Sequence, residues 1–162
     1  MPVNLSNLRC VHNSPRDLKQ SNEFSFQRFL VPYLCNYEGY GVFFDCDQMI
    51  RADVAEIFSV IEEQPNKAVY VVNHTYEPRN DIKYLNNVQY KYPRKNWSSV
   101  VLWNCAHLQN KKLTPEFLNT TEGLELHRFT WLKDTEIGEL DIKWNWLVGE
   151  YDNPPPDVKN VH

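Results

Sequence analysis

Asp45 and Asp47 are the residues whose type and spacing most directly suggest chemistry in this chain of 162 residues. They close the run Gly41-Val42-Phe43-Phe44-Asp45-Cys46-Asp47. Side chains alternate along an extended segment, so both carboxylates can converge on one divalent cation while Cys46 points away. Two hard oxygen ligands suit Mg²⁺ or Mn²⁺, and these ions in turn suit a diphosphate. Asp-x-Asp alone is a short motif that also arises by accident, and its weight comes from what precedes it. The consecutive apolar residues before Asp45, aromatic and β-branched, predict a strand buried on both faces. Carboxylates at the C-terminal end of such a strand stand where open α/β sheets take their ligands.

The flanking segments supply the elements that would position this pair. Phe26, Phe29, Leu30, Tyr33 and Leu34 recur at helical spacing, with Ser21 and Asn22 as candidate caps and Pro32 as the residue expected to bend or end the helix. Gly39 and Gly41 allow a tight turn into the strand. Asp53-x-x-Glu56 is a capping-box-like helix start, followed by Val54, Ile57, Phe58 and Ile61 on one face, which makes Asp53 a cap rather than a metal ligand. Ala68 to Val72 and Val100 to Trp103 predict two further buried strands. The long polar stretch from Asn73 to Asn96 between them, with Tyr76, Tyr84, Tyr90 and Tyr92, reads as a functional loop. Thr114-Pro115-Glu116 predicts a helix start, with Thr as N-cap and Pro in the first turn. An amphipathic piece through Leu124, Leu126, Phe129 and Trp131 follows, then Ile142 to Val148 with Trp144-Asn145-Trp146, and an extended Asn153-Pro154-Pro155-Pro156 connector.

Composition bounds the class. With 42% hydrophobic and 23% charged residues the chain is globular rather than disordered, and the pattern along it places an irregular, polar segment at 1–20 before an expected single α/β domain at 21–162. A formal charge of −4 argues against nucleic-acid or acidic-membrane binding, although Lys83, Lys91, Arg94 and Lys95 form a local basic cluster that could meet phosphate. No apolar run approaches a membrane span and no signal-peptide core opens the sequence, so a cytoplasmic protein is expected. Cys10, Cys35, Cys46 and Cys105 lack metal or redox spacing and read as reduced thiols, and the glycosylation-type triplets at Asn4, Asn73, Asn96 and Asn119 read as accidental.

Taken in order, these features resemble the GT-A-type glycosyltransferases, in particular the lineage around glycosyltransferase family 8 and related small glycosyltransferase-like proteins. The resemblance rests on Phe24 to Leu34 with Arg28, Val42 to Asp47 with Asp53, Ile57 and Phe58, Tyr92 to Ser99 with Asn104, Trp131 to Asp134, Ile137-Gly138 and Trp144-Asn145. It implies a Rossmann-like mixed sheet flanked by helices, and a metal-dependent transfer from a nucleotide-sugar donor to a carbohydrate or other hydroxyl acceptor. Asp45 and Asp47 would hold Mn²⁺ or Mg²⁺ against the donor diphosphate, with His162 as the third protein ligand. Arg28 would add charge near the donor sugar. Trp97, Ser98, Ser99 and Asn104 would line the sugar side, and Asp134 would face acceptor or donor.

The resemblance also carries departures. The family's first strand, turn and helix, which hold the nucleotide base, have no counterpart before Ser21, so the sheet is expected to lack that unit and its open edge to invite self-association. His162, as the last residue of the sequence, is expected to fray. Two other functions compete. One is a non-catalytic GT-A-like remnant that binds sugar, metal or a protein partner through the aromatic loop from Tyr76 to Trp97. The other is a haloacid-dehalogenase-type phosphatase with Asp45 as nucleophile and Asp47 as acid/base, against which Met49 stands where such enzymes carry Thr or Val.

Overall fold

A computed structural model describes residues 25–75, 94 and 96–162. The irregular segment at 1–20, the caps at Ser21 and Asn22, most of the Tyr76–Trp97 loop and the lysines 83, 91 and 95 lie outside these residues. The described part is built on a four-stranded mixed sheet of order β1-β4-β3-β5: β1 (Tyr40–Phe44), β3 (Val69–Val71), β4 (Val100–Asn104) and β5 (Ile137–Glu139). Strand β4 runs antiparallel to both β1 and β3, whereas β3 and β5 are parallel. A second sheet of two short antiparallel strands, β2 (Met49–Ile50) and β6 (Asn160–Val161), pairs Met49 with Val161 and Ile50 with Asn160.

The period-two pattern of the central strands divides the core. Val69, Val71, Val101 and Trp103 point to one face, where Phe29, Leu30, Leu113, Leu118, Leu126 and Phe129 cover them. Tyr70, Val72, Val100 and Leu102 point to the other, against Ile57, Val60, Leu140 and Trp144. Both faces of β3 and β4 are therefore dry. Strand β1 differs from expectation: it is an edge strand of the described sheet, and its residues Gly41 to Phe44 are half-buried. Its side chains still reach both cores, Phe43 on the first face and Val42 and Phe44 on the second.

Local capping follows the sequence. Asp53 caps the 3-10 helix Val54–Ser59 by accepting from the Ala55 N–H, and this leads into α2 (Val60–Glu63). Thr114 accepts from the Phe117 N–H at the start of α3 (Pro115–Thr120), with Pro115 where no N–H is needed. Helix α4 (Gly123–His127) follows. The first helix is broken in a way that its apolar spacing concealed. A 3-10 turn, Gln27–Leu30, passes into α1 (Val31–Leu34), and Pro32 sits in the first turn of that short helix, opening it rather than ending it. None of the helices among the described residues is long and apolar enough to cross a membrane.

Gly138 marks the tightest strand contact. A Cβ there would lie 2.5 Å from Cδ1 of Tyr70, whose ring is fully buried and whose hydroxyl donates to the Gln64 carbonyl at 2.8 Å. The Gly138→Ala variant is accordingly expected to lose about 1–3 kcal/mol of stability through overpacking, read as a lower urea midpoint at unchanged slope.

Candidate functional site

Because β1 and β3 both run antiparallel to β4, the residues that follow β1 and β3 and those that precede β4 share one edge of the sheet. Asp45 follows β1 directly, and its backbone N–H donates to the Ser99 carbonyl at 3.0 Å, fixing the strand end against the 3-10 turn Trp97–Ser99. His74 lies shortly after β3 on the same edge. The chain after β5 returns there through the 3-10 turn Ile142–Trp144 to Asn145.

Arg28 is the fixed charge of the site. It is buried, 7% exposed, and its guanidinium grips Asp45 with both arms: NH2 to Oδ1 at 2.7 Å and NH1 to Oδ2 at 3.1 Å. NH1 also donates to the Ser98 carbonyl at 2.7 Å and Nε to the Ser25 carbonyl at 2.9 Å, while the guanidinium carbon stands 4.9 Å from the centre of the Phe43 ring. The geometry replaces the surface salt bridge that a lone arginine suggests with a planar clamp. Burial nevertheless pushes the Asp45 carboxyl above its ordinary range, because desolvation outweighs the lowering by Arg28 and the Asp47 charge adds to it.

His162 is held in place at its backbone. Its N–H donates to the Trp146 carbonyl and its own carbonyl accepts from Val148, each at 2.8 Å, so the fraying expected of a last residue gives way to strand pairing. Its ring Nδ1 lies 3.1 Å from Asn145 Oδ1 and its Nε2 3.6 Å from Asp47 Oδ1. One ligand atom from each of Asp45, Asp47 and His162 falls within 4.8 Å of the others. That span is close to the roughly 4 Å across which opposed ligands of one Mg²⁺ stand. Two carboxylates and an imidazole, at a place where a single guanidinium does not offset the desolvation, form a donor set that fits a divalent ion.

The other residues singled out from the sequence divide. Trp97 is half-buried beside the cluster; its indole N–H donates to the His74 carbonyl at 3.1 Å, and Arg94 stacks on it at 5.6 Å. Ser98 and Ser99 are buried, and their hydroxyls meet protein groups. Ser98 Oγ is 2.7 Å from His127 Nδ1, and Ser99 Oγ donates to the Asn96 carbonyl at 2.7 Å. They support the site from behind. Asn104 is not part of it: the register places Val100 opposite Phe44 and Asn104 opposite Tyr40, so the whole of β4 separates Asn104 from Asp45. There its amide donates to the Lys67 carbonyl at 3.0 Å, a loop-holding task. Asp134 is open to solvent and pairs with the Arg94 guanidinium, which also donates to the Arg128 carbonyl.

Two residues that sequence reasoning passed over stand next to the cluster. His74, which matched no motif, is buried, with Nε2 2.9 Å from Asn145 Nδ2 and Nδ1 2.9 Å from the Tyr151 hydroxyl. Asn145, quoted only as part of Trp144-Asn145, is wholly buried between His74, Ser99 and His162. The available signal was positional: both belong to segments that leave parallel strands at the Asp45 edge. Burial, with a smaller effect of His162, lowers His74 from 6.5 to about 4.

Comparison with known proteins gives a fold and a relative. No family model matches the chain. Protein CDI of Arabidopsis thaliana is 46% identical over 147 residues, covering 88% of this chain and 56% of that protein. The chain thus spans a little over half the length of this curated relative. The crystal structure of mouse xyloside xylosyltransferase 1 in its apo form superposes with a TM-score of 0.54 over 98% of this chain and 69% of that one, at 14% identity. The architecture is therefore the mixed α/β, GT-A-type glycosyltransferase fold.

Two outcomes follow for stability. Removing the guanidinium in Arg28→Met leaves Asp45 desolvated without its partner and is expected to cost about 1–3 kcal/mol, less than for a fully buried pair since Asp45 keeps some solvent contact. Combining it with Asp45→Asn should restore part of that loss in urea unfolding. His74 takes its proton near 6.5 when unfolded but only at about 4 when folded, so the unfolded chain holds more protons between these values. Stability should fall as pH drops from 6.5 towards 4, by about 3 kcal/mol from this residue, and the His74→Gln variant should show a correspondingly shallower dependence in parallel denaturation series.

Proposed function

We propose that this chain carries the donor site of a metal-dependent glycosyltransferase related to the family 8 lineage, binding a nucleotide-sugar through its diphosphate. The observation that carries the reading is the convergence of Asp45, Asp47 and His162 at one sheet edge of a glycosyltransferase fold. Asp45, Asp47 and His162 would hold Mn²⁺ or Mg²⁺. Such an ion, when bound, neutralises the charge that gathers on a departing nucleoside diphosphate.

The chain's own residues have distinct tasks in this reading. Arg28 keeps Asp45 oriented by holding both of its oxygens, and adds a fixed positive charge beside the cluster. Trp97, half-buried at the same end of the sheet, would give the sugar the part of its ring that the core and Arg94 leave open. Arg94 and its partner Asp134 lie beyond Trp97, where an acceptor hydroxyl compound, carbohydrate or otherwise, would approach. Ser98 and Ser99 hold Arg28 and the Asp45 backbone through their carbonyls, on the side of the cluster where the sugar would lie. The work would take place in the cytoplasm. The phosphatase reading is disfavoured by the clamp on Asp45, since a carboxylate held through both oxygens by a buried guanidinium is a poor nucleophile.

The coverage of the relative favours one second reading. Because the chain spans 56% of Protein CDI, base-binding residues can lie in the part of that protein it does not match, and the cluster would then bind metal without retaining a nucleotide.

Calorimetric titration of UDP, then GDP, with and without Mn²⁺ separates these readings. Binding of a diphosphate that requires Mn²⁺ and weakens at least about tenfold in the Asp45→Ala, Asp47→Ala variant is the expected result. Uptake of Mn²⁺ without either nucleotide would support the second reading, and no binding of any component by the folded chain would overturn both.

A further inference from the structure

We infer that Asn145 and His74 are positioning residues that set the protonation register of His162, placing its proton on Nδ1 and turning a bare Nε2 towards Asp47. The inference deepens the proposed metal site and rests on that reading for its purpose. Its structural content stands on the hydrogen-bond network alone.

The assignment follows step by step when the network is read from its fixed end, the Ser99 hydroxyl. Ser99 Oγ donates its hydrogen to the Asn96 carbonyl at 2.7 Å. At its 2.6 Å contact with Asn145 this hydroxyl can therefore only accept, and the amide atom facing it must be the N–H₂ group. The same Nδ2 lies 2.9 Å from His74 Nε2, which must then accept as well. A neutral imidazole that accepts at Nε2 carries its proton on Nδ1, and His74 Nδ1 duly faces the Tyr151 hydroxyl at 2.9 Å. With Nδ2 committed, Asn145 turns its carbonyl oxygen to His162 Nδ1 at 3.1 Å, and a carbonyl accepts only a donated proton. The lone pair of neutral His162 is then left on Nε2, 3.6 Å from Asp47 Oδ1. Inverting the Asn145 amide would reverse each step and put the proton on Nε2, where it would block a metal.

The reversal is costly at the fixed end, where it would require Ser99 to abandon the Asn96 carbonyl. Asn145 is wholly buried, so water does not replace what is lost. Burial also keeps His74 neutral at physiological pH, which preserves the acceptor that the register needs. A carboxylate or carbonyl partner commonly fixes the tautomer of a ligating histidine. Here the partner is an amide whose own orientation is fixed by the Ser99 hydroxyl, with a second histidine as the further acceptor of its N–H₂ group.

Nitrogen-15 NMR of the imidazoles in the metal-free protein, at about pH 8 where an ordinary imidazole is neutral, tests the assignment directly. His162 should show a protonated Nδ1 and a bare Nε2. The His74→Leu variant, which gives Asn145 no acceptor on that side, and the milder Ser99→Ala variant, which removes the hydroxyl that orients the amide, should each raise the share of protonated Nε2 at His162. His74→Gln, whose carbonyl can accept from Asn145, should restore the register. Mn²⁺ affinity measured by electron paramagnetic resonance should fall roughly tenfold in His74→Leu and recover in His74→Gln. A predominantly protonated Nε2 in the intact protein, or an unchanged His162 tautomer in both folded disrupting variants, would overturn the inference. The expected tautomers with no Mn²⁺ binding would uphold the register and sink the metal-site reading instead.

Discussion

The pairing of Arg28 with Asp45 is the interaction on which the site depends. A carboxylate at the end of an apolar strand is desolvated, and without a counter-charge it would take up a proton or pull the strand end towards water. Arg28 meets that demand from inside the protein, and its remaining contacts tie together three separate stretches of chain. Nε holds the Ser25 carbonyl, NH1 holds the Ser98 carbonyl, and both terminal nitrogens hold Asp45. One planar group thus fixes the turn before the first helix, the end of β1 and the entry to β4. Burial still holds the Asp45 carboxyl above its ordinary range, with Arg28 and His162 acting against it and Asp47 adding to it.

Topology explains why the demand arises where it does. Strand β4 is antiparallel to its two neighbours, so the ends of β1 and β3 and the start of β4 all lie along one edge. Residues far apart in sequence, Asp45, His74 and Trp97, are thereby brought to the same end of the sheet. The apolar alternation of β3 and β4 makes this arrangement rigid, since each face is sealed by its own cluster. Strand β1, half-buried at the edge of the described sheet, is anchored chiefly through its pairing with β4 and through the Arg28 clamp at its end.

Much of this was legible in the sequence. The three strands at 40–44, 69–71 and 100–104 follow from apolar runs, and the caps at Asp53 and Thr114 from local chemistry that tertiary contacts do not override. Asp45, Asp47 and His162 were grouped by resemblance, and the structure does bring them together. Asn104 misled because an apolar run does not show which of its ends faces the site; in an antiparallel sheet that depends on strand order, which residue spacing does not encode. Arg28 is placed near the aspartates by the resemblance, and the structure puts it against Asp45; helical spacing alone, which marks only the apolar face, does not show that the guanidinium turns inward. His74 and the role of Asn145 stay hidden for a related reason. Asn145 enters only with Trp144 in the resemblance and His74 matches no motif, whereas their significance lies in each other's position, across 71 residues of chain.

The end of the chain closes the site through register rather than through side-chain attraction. Strand β2 begins two residues after Asp47, and it pairs Met49 with Val161 and Ile50 with Asn160, so His162 is carried to the level of Asp47 by backbone bonds. Gln48 secures the same alignment by donating to the Ser99 carbonyl at 3.2 Å and accepting from Asn160 Nδ2 at 2.8 Å. A slip of one residue would send the His162 side chain to the opposite face of the ribbon and away from Asn145. The bonds on either side of the His162 backbone, to Trp146 and Val148, resist that slip from the other flank. The third member of the cluster therefore owes its place to two short strands whose pairing is fixed at both margins. The ring's direction depends in turn on Asn145, the residue next to Trp146.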